Sequence, residues 1–259
     1  ITITPVSSAD LPPNRYIAEN QLPLAEQTHE LVKVEDIVAG FQIANSTSDL
    51  HGLALSTKYP GMVWLTLEVG NKLVLIDPVT ASVTDAPEVI KEIDVPDPGN
   101  GPHYIGEYET DLWVSLKESS DVLRINYENS ADYNIYKGVA SPVFVAQHPI
   151  NKMFYTGEDA SNKLMKINPA TGETTQIDVD TSVGTTPVGV MSGPNGIWFT
   201  LLGNKTAGTG TFGFIDQSDT IDEEVVVTPT QPCAAHRLLP TQFNVFATEL
   251  TASKLLTLF

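Results

Sequence analysis

The chain has 259 residues, 14 Lys+Arg against 32 Asp+Glu, a formal charge of −18 and 41% hydrophobic residues. Its three arginines, Arg15, Arg124 and Arg237, form no basic stripe that would neutralise a phosphate backbone, which excludes nucleic acid as a partner. No apolar run reaches the roughly 18 residues of a membrane span, which argues against membrane insertion, and a single cysteine precludes an internal disulfide.

Residues 1–28 are proline-rich and read as an N-terminal arm ahead of one domain at 29–259, whose first strand is expected over His29–Ile37. No basic and apolar leader opens the chain. Two sequons, Asn45-Ser-Thr and Asn204-Lys-Thr, lie in Ser/Thr/Gly-rich stretches and read as glycosylated surface loops. With the acidic, lysine-poor composition they point to a secreted or secretory-pathway protein whose leader is removed before residue 1.

From residue 50 onward the chain repeats. Segments ending in an aromatic, one apolar or small residue and a hydroxyl recur: Trp64-Leu-Thr, Trp113-Val-Ser, Phe154-Tyr-Thr, Trp198-Phe-Thr and Phe246-Ala-Thr. The aromatics are 49, 41, 44 and 48 residues apart. Each copy continues through a short turn into a second apolar strand, and the fourth is lengthened by a Gly/Thr insert at 203–211. Short strands precede each aromatic strand (His51-GLAL, His103-YI, Pro142-VFVA, Pro187-VGVM), and a fourth follows each hairpin. Residues alternate bulky and small with a period of two, and no stretch holds a convincing helical period; Ala86–Asp94 comes nearest. Four antiparallel strands per repeat of this length match one blade of a β-propeller. The fold expected is all-β, with four full blades over about 50–234 and a three-strand fifth from Ala235 to Phe259. Pairing the N-terminal strand with the last blade would close a ring of six, or five, blades and remove its open edges.

Ser192-Gly-Pro-Asn-Gly-Ile-Trp198-Phe-Thr, with Lys163-LMKI-Asn-Pro-Ala-Thr-Gly-Glu173 in the blade before it, resembles the streptogramin B (virginiamycin B) lyase family and, more broadly, lactonase-like and NHL-type propellers. The likeness covers roughly 50–259 and rests mostly on framework positions. It implies elimination across the ester C–O bond of a cyclic depsipeptide, a divalent ion, and a histidine that opens an inner strand beside a glutamate four positions after a blade tryptophan. His51, His103 and Glu68 match that pattern and are the candidate catalytic residues. Lys117, with Glu118 beside it, departs from it at the equivalent acidic position of the second blade. Mg2+ or Ca2+ is the candidate ion, and no other cofactor is implied.

Histidines at the same end of adjacent inner strands converge on one channel mouth, where an imidazole takes a proton α to a carbonyl and a carboxylate orients it. A histidine beside Gly or Pro also serves simply as a turn residue, and both readings stand here. His148, in Gln147-His-Pro-Ile-Asn151, reads as a turn. Tyr104, Trp64, Trp113 and His236 are the candidate substrate-binding residues. The alternating Glu107, Glu109 and Asp111 read as a solvated loop, or as oxygen ligands for calcium. Nucleotide, haem, flavin and serine-hydrolase motifs are absent. The reading is a redox-neutral lyase or cyclase acting on a small, largely apolar natural product. A cofactor-free pericyclase resembling hetero-Diels–Alderases, and a non-catalytic ligand-binding propeller, are the alternatives.

Overall fold

A computed structural model describes residues 49–79, 87–180, 184–203, 210–218, 221–224, 234–242, 244–249 and 254–258. The arm at 1–28, the strand expected over 29–37 and both sequon asparagines, Asn45 and Asn204, lie outside them. Among the described residues every regular element is a β-strand, and no helix is long and apolar enough to cross a membrane.

Five antiparallel sheets follow one another along the chain, each built of strands paired in sequence order. The first holds β1 (Leu50–Leu55), β2 (Val63–Leu67), β3 (Lys72–Asp77) and β4 (Glu88–Asp94). The second holds β5 (Pro102–Tyr108), β6 (Asp111–Leu116), β7 (Asp121–Asn126) and β8 (Tyr133–Lys137). The third holds β9 (Pro142–Gln147), β10 (Phe154–Glu158), β11 (Lys163–Ile167) and β12 (Thr174–Asp178). The fourth holds β13 (Pro187–Ser192), β14 (Ile197–Leu201), β15 (Thr211–Ile215) and β16 (Ile221–Glu224). The last has three strands, β17 (Ala235–Pro240), β18 (Val245–Glu249) and β19 (Lys254–Leu258). Within the near-helical window at 86–94, Glu88–Asp94 is the outer strand of the first sheet, in keeping with the β-branched Val89, Ile90 and Ile93.

Each sheet leans its face on the next, and the inner strands β1, β5, β9, β13 and β17 stand side by side, as in consecutive propeller blades. Apolar side chains fill the seams. Trp64, Leu75, Ile105 and Leu123 join the first and second sheets, and Trp113, Val145, Phe154 and Met165 the second and third. Tyr155, Leu164, Val190 and Phe199 join the third and fourth, and Phe212, Ala235 and Leu238 the fourth and fifth. Trp113 stacks on Phe154 across its seam at 3.5 Å and on Tyr136 of its own sheet at 5.4 Å.

A recurrent polar device ties the inner ends. Every inner strand carries a bulge or irregularity near its start, between Leu50 and Leu53, Pro102 and Tyr104, Pro187 and Val190, Ala235 and Leu238, and, opposite Thr156–Glu158, in β9. In four of the five sheets the hydroxyl two residues after the blade aromatic serves that irregularity. Thr66 accepts from Gly52 N–H (2.7 Å) and donates to His103 O (3.4 Å) in the next sheet. Ser115 accepts from Tyr104 N–H (3.0 Å) and donates to Val143 O (2.9 Å). Thr200 accepts from Gly189 N–H (2.8 Å) and donates to His236 O (2.9 Å). Thr248 accepts from Arg237 N–H (3.1 Å), whereas Thr156 turns instead to Gly157 O. Glycine is needed where the neighbouring carbonyl comes closest: a Cβ on Gly52 would lie 2.5 Å from His103 O, and one on Gly189 2.4 Å from His236 O.

Replacing Thr200 by Val keeps the volume but leaves Gly189 N–H and His236 C=O without this partner. The expected loss is about 2–3 kcal/mol of unfolding free energy, measured by urea denaturation. A loss no larger than that of an exposed Thr→Val control would show that the hydroxyl does not tie the seam.

Candidate active site

The face of β2 that carries Trp64 and Thr66 continues to Glu68, because alternate residues of a strand share a face. All three reach across the first seam to β5. Trp64 Nε1 donates to Glu107 (2.8 Å), Thr66 to His103 O, and Glu68 Oε1 meets His103 Nδ1 at 3.1 Å. Glu68 is held in turn by its own N–H, which donates to Asp49 O (2.8 Å). On the neighbouring inner strand, His51 Nδ1 donates to His103 O (2.9 Å), and the two imidazoles stack with centroids 3.6 Å apart and a 27° interplanar angle. A ligating atom from each of His51, Glu68 and His103 falls within 4.8 Å of the other two.

The acceptors decide the tautomers. A carbonyl oxygen receives the Nδ1 proton of His51, and a carboxylate that of His103, so in their neutral forms both rings present an unprotonated Nε2. His103 is 9% exposed. Burial holds its pKa below the ordinary histidine value, and the neighbouring His51 and Lys117 add to that, while the hydrogen bond to Glu68 pulls the other way. The imidazole is therefore neutral, oriented and basic at neutral pH, the state a proton acceptor needs. Since the folded protein binds this proton less readily than the unfolded chain, the group withdraws stability as pH falls below about 6.5.

As a cation site the three residues offer two imidazole nitrogens and one carboxylate. Mg2+ and Ca2+ are held mainly by oxygen ligands. Here the single carboxylate already accepts from His103, and Lys117 sets a like charge beside the ring. The donor set does not suit either ion.

His51 and His103 open onto a cavity of about 460 Å3 between the inner strands. Leu53, Ala54, Val143, Phe144, Met191 and Leu238 form its apolar wall, and Tyr104 and Arg237 supply the remaining polar groups. Tyr104, expected at this position, is found there, its ring 4.9 Å from that of Phe144. Trp64 and Trp113, expected to bind substrate, do not line the cavity: they are 0% and 2% exposed and pack inside the seams, because only inner strands border the cavity and both lie on second strands. His236 is likewise not in the lining, although Arg237 and Leu238 on the same strand are. His148 sits at the far end of β9, where its Nδ1 accepts from Ile150 and Asn151 N–H in a turn.

Glu107 and Asp111, read as a solvated loop or calcium ligands, serve the framework. Glu107 accepts from Ser56, Thr57, Lys58 N–H and Trp64; burial would raise its pKa, but these bonds hold it below the usual range. Asp111 takes a bidentate pair from Arg124 at 2.7 and 3.0 Å. Arg237 escaped the sequence reading. Its only signal was to be one of three arginines and to stand on an inner strand of the repeat.

No protein-family model matches this chain, and no curated protein matches it. Solved structures do. The virginiamycin B lyase of Staphylococcus aureus superposes with a TM-score of 0.68 at 20% identity, over 84% of this chain and 68% of the lyase. A streptogramin B lyase structure gives 0.67 at 21%, over 85% and 67%. The hydrazine synthase of Kuenenia stuttgartiensis gives 0.62 at 17%, over 82% and 59%. The likeness is one of fold. This chain spans about two thirds of the lyases' own length, and its all-β sheets form a lyase-like propeller arrangement.

Two measurements probe the site. Following the imidazole resonances of His103 against pH, the midpoint is expected below 6.5 and lower still in Glu68→Gln, which removes the carboxylate that favours the charged ring; a midpoint unmoved by the substitution would show that the pair does not form. Titration with millimolar Mg2+ or Ca2+ is expected to leave the His51 and His103 resonances in place, and saturable shifts would overturn the mismatch of the donor set.

Proposed function

We propose that this cavity is the active site of a redox-neutral lyase acting on a small, largely apolar molecule, with His103 as general base and Glu68 as the group that orients it. The observation that carries the reading is the His103–Glu68 hydrogen bond, made by a buried imidazole whose free Nε2 belongs to a ring lining an apolar cavity. His103 takes the proton α to a carbonyl, the electron pair forms a C=C bond, and the β C–O bond breaks with its electrons leaving on oxygen. No atom is added. His51 positions the base, since its Nδ1–H holds the His103 carbonyl and its ring stacks on the imidazole. The fold likeness supports the choice of reaction: one of the similar structures is a catalytically inactive histidine-to-alanine virginiamycin B lyase with quinupristin. The reading takes the sheets as blades of a closed ring of five or six, sealed by pairing of the N- and C-terminal strands.

A cofactor-free cyclase is the second reading. The wall favours it, being apolar with a few hydrogen-bond donors, which shape and stabilise a pericyclic transition state without proton transfer.

Incubation with quinupristin is the direct test. Elimination opens the ring at unchanged mass, hydrolysis adds one water, and His103→Gln is expected to slow the isobaric opening by about 100-fold or more. Hydrolysed product, an intact ring, or a His103→Gln variant as fast as the parent would each refute the lyase assignment on this substrate class.

A further inference from the structure

The cavity that His51 and His103 line also carries a cation that the proposed chemistry does not use. Arg237, on β17, lies with its guanidinium carbon 4.4 Å from the centre of the Phe144 ring, in a cation–π contact that fixes its direction. Among the described residues its side chain makes no ion pair or hydrogen bond, and no Asp or Glu lines the cavity. The contrast with Arg124, which is chelated by Asp111 and Asp132, is plain. The Tyr104 hydroxyl also donates to no described residue, and Tyr104 lines the same cavity as Arg237.

An arginine stays charged at any physiological pH, and its planar fork matches a carboxylate in two parallel hydrogen bonds. In a chain of net charge −18 with 32 acidic residues, an exposed guanidinium that lines the cavity, with no Asp or Glu among the described lining residues, is a local patch of positive potential. We propose that Arg237, with the Tyr104 hydroxyl, is the anchor for a carboxylate on the molecule that fills this cavity, so that the ligand is an amphipathic monocarboxylic acid with its apolar body against Phe144, Met191 and Leu238. The proposal rests on the reading of the cavity as a small-molecule site and adds the class of molecule it takes.

The test compares 4-phenylbutyrate with its neutral isostere 4-phenylbutyramide by calorimetry or ligand-observed NMR at low salt, on the parent chain and on Arg237→Met and Arg237→Lys. The carboxylate is expected to bind about tenfold or more tighter than the amide, to lose that advantage in Arg237→Met, and to weaken alone as salt rises. Arg237→Lys is expected to retain part of the preference as a point charge, and circular dichroism melts confirm that the variants are folded. Equal affinities in the parent, or a preference that survives in Arg237→Met, would overturn the anchor while leaving the cavity as a binding site. Absence of binding by both compounds would overturn the anchor and the cavity reading together. Because binding is read directly, inactivity of His103 variants leaves the result untouched.

Discussion

The structure depends on one small hydroxyl repeated around the inner end of the sheets. A strand that bulges frees a backbone N–H and re-aims the side chains beside it. In three of the sheets a Thr or Ser at the same place in the repeat takes up that N–H and hands its own proton to a carbonyl of the following sheet, and in the last a threonine accepts the N–H. Apolar seams alone would hold the sheets together while letting them slide. The hydroxyl pair sets where one inner strand stands relative to the next, and it does so beside the cavity.

The candidate site follows from that positioning. His103 O accepts from the Thr66 hydroxyl and the His51 ring, while the His103 ring donates to Glu68, so one residue is fixed at backbone and imidazole by three neighbours from the adjoining sheet. Gly52 is small enough to let that carbonyl approach. The chemistry then needs no unusual group. Burial keeps an ordinary imidazole neutral, and a carboxylate settles which nitrogen carries the proton.

Much of this was legible in the sequence because it is periodic. The spacing of Trp64, Trp113, Phe154, Trp198 and Phe246 located all five sheets, including the three-stranded last one. The strand-start positions of His51 and His103, with Glu68 in phase with Trp64, brought together three side chains far apart in the chain. The errors came from faces. Trp64 and Trp113 look like binding aromatics until one asks which strand borders the cavity; second strands look into seams. Arg237 was missed for a related reason. The bulge between Ala235 and Leu238 breaks the alternation from which a strand's facing is read, so a period of two does not tell whether residue 236 or 237 turns inward. The acidic run around Glu107 misled because composition alone does not show that Trp64, Ser56 and Thr57 stand ready to satisfy it.

The trio straddles a joint: His51 and Glu68 belong to the first sheet, His103 to the second. Neither sheet by itself contains an oriented base. Any parting of the two sheets separates imidazole from carboxylate. The order of this trio therefore acts as a gauge of how tightly two neighbouring modules are clasped, and the Thr66 hydroxyl, outside the cavity lining, helps set the reading.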